Sequence, residues 1–470
     1  PAVKPDEILR QVEAVRPDVV ALGYRLTPEN AVPLVEELRA GAAALSCTPH
    51  WLFGGTRPVA RAVEALGFFD TVYDGTEDID DCIAFLRGGE AEKDACERAD
   101  TLVGRIRQKS PYPVLRHHFG LPSFTDTLEG IGEIAQSRVL DVISLGIDQN
   151  TQQFFFHPEK RDPRLEGAGG VPVRDEEQFQ LLKRASLCGN RPLMRCYSGT
   201  ADVLRFGEML LNTIDNAWCA TPLCWFNTLD GRGERSVSET ARDAQALIEL
   251  HAARNVPVEI NEPHHWGLRD AHDVISVVMA YVSALFAKRA GLHDYIAQYM
   301  FNIPGDLSFS MDLAKVLAQI ELAESLSDDT FHIYRETRAG LPFLSGDLDA
   351  AKGQLAASTV LQMAVKPHII HVVGYSEAEH AATPDVIIES CKITRGVIRS
   401  TLHGAPDATH DPAVQARKEE LLWQARALID FIQKYYRTRS EEPLTDPAVL
   451  QDCVMRGLLD APHILKNDRV

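Results

Sequence analysis

The sequence predicts an α/β protein whose central part closes into a (β/α)8 barrel, and three observations carry that expectation. Between about residues 113 and 400, short β-branched runs alternate with longer amphipathic stretches, the alternation repeats eight times, and no break in composition divides the series. Alternating strands and helices build parallel sheets, because a right-handed crossover helix brings each new strand alongside the last. Eight uninterrupted units is the number a closed barrel needs, and a doubly wound open sheet is the rival.

The units follow in order. Pro113 to Phe119 is the first strand, with a helix from Phe124 to Gln136. Arg138 to Ile147 (RVLDVISLGI) is an apolar run suited to a buried parallel strand. A long loop over 150–174, with Gly167, Gly169 and Gly170, leads to a helix near 175–188. Pro192 to Ser198 is the third strand, and its helix begins at Thr200. Ala217 to Phe226 is the fourth; its helix opens on Ser236-Val237-Ser238-Glu239, a capping box, and ends near Asn255. Pro257 to Glu262 is the fifth, before an apolar helix that Gly291 terminates. Asp294 to Asn302, Thr330 to Glu336 and Pro367 to Gly374 complete the strands, with helices near 308–325, 347–365 and 384–398.

The flanks differ from this repeat. Residues 1–90 read as a small flavodoxin-like (partial Rossmann-like) α/β domain. Its strands lie at Asp18 to Gly23, His50 to Phe53 and Thr71 to Tyr73, and its last helix at 78–87. Residues 91–110 read as a charged helical linker, 111–402 as the TIM barrel, and 403–470 as a C-terminal helical extension for the barrel's side or a partner subunit.

Composition narrows the function classes. The chain is 45% hydrophobic and 24% charged, and 48 Lys and Arg against 67 Asp and Glu give a net charge of −19. That charge repels phosphate backbones, so nucleic acid and anionic membrane are poor partners. No run of about 18 apolar residues offers a membrane span, and the first residues do not form a signal peptide. The nine cysteines are scattered, which predicts reduced thiols and a cytoplasmic protein.

A barrel of this kind carries function where the strands' C-terminal ends meet. The residues falling there are His117, His118, Asp148 to Asn150, Tyr197, Ser198, Asn227 to Arg232, Glu262, His264, His265, Tyr299, Asn302, Arg335 to Arg338, Tyr375, Glu377 and His380. Adjacent histidines on an extended turn point different ways, so His264 and His265 with Glu262 and His272 make an awkward metal site. His368 and His371, three apart on a strand, likewise face opposite sides. No glycine-rich phosphate loop or serine elbow is present.

Two flanking stretches, VVALGYRLTPENA (19–31) and WLFGGTRP (51–58), resemble the second half of the cobalamin-binding domain shared by cobalamin-dependent mutases and methyltransferases. There the loops enclose the cofactor's nucleotide tail. The resemblance implies cofactor contacts from Gly23, Tyr24, Leu26, Thr27, Gly54, Gly55 and Thr56, with Gly23 in place of the family's serine. The family's Asp-x-His-x-x-Gly segment, which supplies the cobalt ligand, precedes this region. That implies an upstream segment or a second cobalamin-binding subunit.

Over most of 110–470 the chain is similar to the catalytic subunit of glutamate mutase (methylaspartate mutase). The echoes are GGVPV (169–173), Tyr197-Ser198-Gly199-Thr200, Asn261-Glu262-Pro263, Glu377-Ala378 with Pro384, and GLLDAPHI (457–464). This implies an oligomeric, adenosylcobalamin-dependent isomerase acting on a small polar or amino-acid-like substrate, with no metal beyond the corrinoid's cobalt. The adenosyl radical would start a group migration. Glu262, Glu377 and His380 are the catalytic candidates, and Asp148, Asn150, Tyr197, Asn227, Asp230, Arg232, His264, Asn302 and Arg338 the substrate-binding ones. The family's arginine clamp is replaced by Tyr197 and Ser198 and by Asp148-Gln149-Asn150, so an Asp- and Glu-rich mouth predicts an amine or neutral substrate. Arg232, Arg235, Arg335 and Arg338 remain able to hold one carboxylate. The alternatives are an aminomutase that also needs pyridoxal phosphate, a non-catalytic cobalamin-binding or assembly protein, and a metal-dependent barrel hydrolase.

Overall fold

The computed structural model describes residues 3–75, 77, 82, 85, 98–197, 199–305 and 307–464. The helix expected at 78–87 therefore falls largely outside the described residues, as does Ser198. The chain divides into two compact units, Pro1–Glu97 and Arg98–Val470.

The first unit alternates α1 (Pro5–Val15), β1 (Val19–Tyr24), α2 (Pro28–Ala42), β2 (His50–Gly55), α3 (Arg57–Glu64) and β3 (Thr71–Tyr73). The strands form one parallel sheet in the order β1-β2-β3, with Gly23 beside Gly54 and Tyr24 beside Gly55. Ala31, Val35, Phe53, Val59 and Val63 close its core. β2 is buried along Trp51, Leu52 and Phe53, whereas β1 is mostly exposed although its sequence, VVALGY, is nearly all apolar.

The second unit opens with α4 (Leu102–Lys109) and then repeats strand and helix eight times. The strands are β4 (Val114–Phe119), β5 (Val142–Leu145), β6 (Leu193–Cys196), β7 (Cys219–Thr221), β8 (Val258–Ile260), β9 (Asp294–Phe301), β10 (His332–Ala339) and β11 (Ile369–His371). All pairings are parallel, in the order β6-β5-β4-β11-β10-β9-β8-β7. Between the two ends of that order no ladder forms, but the Ala217 N–H donates to the Met194 carbonyl at 2.9 Å. The result is an eight-stranded parallel barrel, nearly closed.

Each strand carries the apolar faces that its crossover helix requires. The helices are α5 (Phe124–Ser137), α6 (Gln149–Phe154), α7 (Glu176–Ala185), α8 (Val203–Thr213), α9 (Val237–Ala252), α10 (Glu262–Gly267), α11 (Asp273–Arg289), α12 (Phe309–Glu324), α13 (Leu348–Met363) and α14 (Pro384–Leu402). The Ser236–Glu239 capping box forms at the start of α9 as its sequence predicts. α11 is buried almost all round because α15 (Pro412–Tyr436) lies over the barrel wall, burying Leu421, Leu422, Ala425 and Ile432 in the same core. α16 (Pro447–Met455) adds Val449, Leu450 and Cys453.

Three local expectations are corrected. The 150–174 loop contains α6 and two short 3-10 turns, because Asp148 caps α6 through the Thr151 N–H. The fourth strand stops at Thr221 rather than Phe226. Pro222 has no N–H to donate, and the next two, on Leu223 and Cys224, go to the Glu262 carboxylate at 2.6 and 3.1 Å. His264 and His265 stand on α10, not on an extended turn, and their rings stack at 4.5 Å.

Candidate functional site

Strand alternation sends every second side chain into the barrel, and these build it in layers. The bottom layer is apolar: Val114, Val142, Leu193, Trp218, Ile296 and Ile369, with Leu102 and Ile106 of α4 among them. The middle layer is ionic. Arg116 Nε meets Glu336 at 2.5 Å, and Arg195 Nη2 meets Glu259 at 3.0 Å. Ser144 lies between the two guanidiniums, while Gln298 donates to both glutamates, at 2.8 and 3.4 Å. Trp218 donates to Glu259 at 2.8 Å, and both guanidiniums lie against its ring, at 5.7 and 4.8 Å.

These four charged groups are essentially inaccessible to water, so each is held by its partners. Burial raises Glu259, but Arg195 and Arg116 outweigh it and hold the carboxyl below its ordinary value. Glu336 differs. Burial and the charge of Glu259 push it up to about 7 against the pull of Arg116 and Arg195.

Above this floor lies the mouth. Arg338 continues the inward series Glu336, Arg338 on β10, and among the described residues no carboxylate lies within ion-pair distance of it. Its Nε donates to the Ala339 carbonyl at 3.3 Å. Around it stand His118 and His371, 4.8 Å ring to ring, the stacked pair His264–His265, and Tyr197. Burial, and then the positive field of Arg116 and Arg338, keep His118, His264 and His371 well below the ordinary imidazole range; Arg269, Arg232 and Arg338 add to burial at His265. These rings are neutral at pH 7, and burial likewise keeps the Tyr197 phenol protonated.

Three ring nitrogens here, His264 Nδ1, His265 Nε2 and His371 Nδ1, are buried with no hydrogen-bond partner among the described residues. Buried polar atoms are nearly always satisfied, so a cluster of orphans beside an unpaired guanidinium marks a place for a ligand. The mouth is thus cationic and polar, which corrects the expectation of an Asp- and Glu-rich opening. Most of the acidic groups named there are spent on the loops.

Asp148 accepts from Thr151 and Gly167 N–H and pairs with Arg174, whose pull outweighs burial and lowers its carboxyl. Asn150 exchanges hydrogen bonds with the Asp162 backbone. Asn227 ties Cys224, Thr240 and Leu229, and Asp230 accepts from the Phe226 and Asn227 N–H groups. Glu262 is buried, with Trp266 donating to it at 2.8 Å, and burial raises it despite its three N–H donors. Asn302, at φ +59°, accepts from Ser358. These six side chains shape the rim.

Glu377 accepts from the Gly374 N–H at 2.8 Å and lies 3.4 Å from His117 Nε2. A Cβ on Gly374 would stand 3.0 Å from that nitrogen, so glycine is what lets the pair approach. His380 is exposed and pairs with Glu379. Arg232 is exposed, with its guanidinium 5.3 Å from the Phe226 ring. Of the other arginines able to hold a carboxylate, Arg235 pairs with Asp243 and Arg335 with Glu324, leaving Arg338. Among the described residues no three ligating side chains converge at the mouth.

In the first unit, Gly23, Tyr24, Leu26 and Thr27 end β1 and lead into α2, while Gly54, Gly55 and Thr56 end β2 and lead into α3. A Cβ on Gly54 would meet nothing within 4 Å, and the Tyr24 hydroxyl is buried without a partner among the described residues. Thr27 and Thr56 precede their helices without capping them through the side chain. His50, the unit's one described histidine, stands at the start of β2, the opposite end of that strand.

Among known proteins, no family model matches the chain and no curated protein matches it.

Proposed function

We propose that the barrel mouth binds a small carboxylate-bearing substrate, amino-acid-like in size, and that the chain is an adenosylcobalamin-dependent isomerase of the carbon-skeleton mutase type. Arg338 carries the first half of this proposal: a guanidinium without a carboxylate partner, at the centre of unsatisfied neutral rings, is a receptor for a two-oxygen anion. The resemblance in 19–31, 51–58 and the barrel supports the second half.

The loop residues of the first unit, read as part of a flavodoxin-like sheet, fit a nucleotide tail: Gly54 has open space over its backbone, and the Tyr24 hydroxyl awaits a partner. The axial histidine is not among the unit's described residues at that edge, so a second subunit or another segment would supply it. When bound, adenosylcobalamin supplies a carbon radical that starts rearrangements closed to acid–base chemistry.

The chain's own residues bind, orient and exclude water. Arg338 holds the carboxylate. The neutral His264, His265 and His371 offer hydrogen bonds without a charge that competes with Arg338, so they can fix the substrate's polar groups. Tyr197 remains a donor. Glu377, held by the Gly374 N–H and beside the His117 ring, is placed to accept from a substrate ammonium or hydroxyl. Glu262 positions α10, and with it both stacked histidines, rather than touching substrate. The scattered thiols fit a reducing, cytoplasmic setting.

Titration of the full chain with adenosylcobalamin, followed by anaerobic electron paramagnetic resonance with a panel of amino acids and hydroxy acids, tests this. We expect saturable corrinoid binding and a radical signal with at least one carboxylate, lost in Arg338→Met. A chain that ignores every corrinoid ends the isomerase proposal. A mouth that binds no carboxylate ends the receptor assignment separately.

A further inference from the structure

We infer that the opposite, N-terminal end of the barrel carries a site for a divalent first-row metal ion, zinc by its donor set, built by His293, Asp294 and His332. Among the described residues these are the three His, Cys, Asp or Glu side chains whose ligand atoms converge, all within 4.8 Å of one another. The backbone fixes their positions. Asp294 begins β9, His293 precedes it, and His332 begins β10 directly opposite Asp294 in the ladder. The His332 N–H donates to the His293 carbonyl at 2.7 Å, locking the two strand ends in register.

The side chains then converge on one point. His293 Nδ1 lies 3.2 Å from Asp294 Oδ2, and His332 Nδ1 lies 3.9 Å from Oδ1. The two rings stand 4.6 Å apart, centre to centre, at 56°. Ligands of a tetrahedral zinc ion with bonds of about 2.0–2.1 Å stand roughly 3.4 Å apart, so a small rotation of the imidazoles completes the geometry. Both imidazoles are about half exposed, at 53% and 46% of the side chain, which gives an ion access and the rings freedom to turn. Asp294 is more buried than either imidazole, at 19% of its side chain, so its carboxylate is the better-held member of the three.

Two imidazoles with one carboxylate suit zinc, and the fourth position is left to solvent. A bound ion would clip β9 to β10 at the end away from the mouth. It binds the native backbone register and not the unfolded chain, so it stabilises by mass action.

Cobalt(II) and zinc titrations of the full chain decide the matter. We expect one equivalent of cobalt(II) to give a tetrahedral d–d absorption band that zinc abolishes, and zinc to raise the thermal midpoint. His293→Asn and His332→Asn should each weaken affinity about 100-fold. Absence of binding at 100-fold molar excess of zinc, or unchanged binding in both histidine variants, overturns the inference and leaves an ordinary surface His–Asp pair. The variants lie far down the strands from Arg338, so carboxylate binding at the mouth should stay at its parental level.

Discussion

Replacing Glu259 probes the ionic layer beneath the mouth most directly. Its carboxylate accepts from Arg195 at 3.0 Å, Trp218 at 2.8 Å and Gln298 at 2.8 Å, with no exposure to solvent. Glu259→Ala strands a buried guanidinium, which costs about 3–5 kcal/mol, and leaves two further donors unsatisfied at about 1–3 kcal/mol each. Water entering the cavity offsets part of that sum, so a loss of about 5 kcal/mol is expected, a large share of the roughly 5–15 kcal/mol that holds a domain folded. Glu259→Gln keeps the acceptor and removes only the charge, and should cost about 2–3 kcal/mol. The Glu259→Gln/Arg195→Met pair should recover much of it, because the stranded charge is gone.

Guanidinium unfolding followed by the fluorescence of the buried Trp218, Trp225 and Trp266 reports the barrel unit. A Glu259→Ala chain within about 1 kcal/mol of the parent would refute the claim that this layer is held by mutual pairing.

Glu336 makes the matching pH prediction. Its carboxyl, up to about 7 in the folded protein, binds a proton that the unfolded chain has already released, so this group's contribution to stability falls as pH rises from about 4.5 to about 7. Unfolding midpoints across that range should show the decline, and Glu336→Gln should flatten it. Arg338→Met should raise the dissociation constant of a mouth-bound carboxylate at least 100-fold, and Arg338→Lys about tenfold, measured by calorimetry. Neither change should destabilise the fold, because among the described residues no carboxylate is left behind. Gly54→Leu should fold, since open space lies over Gly54, yet weaken corrinoid binding at least tenfold.

The series of strands and helices was legible because each unit alternates two hydrophobic periods, and their order fixed which side chains reach the mouth. Tyr197, His264, Arg338 and Glu377 follow from that order alone. The ionic layer was written in the sequence too, as single charges inside apolar strands: Arg116 in VLRHHF, Arg195 in LMRC, Glu259 in VEI. A lone strand does not show which charge faces which, so the layer became visible only when strands far apart in sequence met around the barrel axis. The sign of the mouth is hidden from the sequence for the same reason. Asp148 and Asp230 count as negative in a tally of mouth residues, but their charges are spent on loop N–H groups and on Arg174 and Arg269.

By itself the sequence determined the α/β class, the eight units, the capping box of α9 and the ring of polar strand ends, because each depends on residues close along the chain. Only the tertiary structure decided which mouth arginine keeps no carboxylate partner among the described residues, which histidines are stripped of their charge and which carboxylates are structural. Those properties come from burial and from partners dozens to hundreds of residues away, such as Arg116 and Glu336, and no local pattern encodes them.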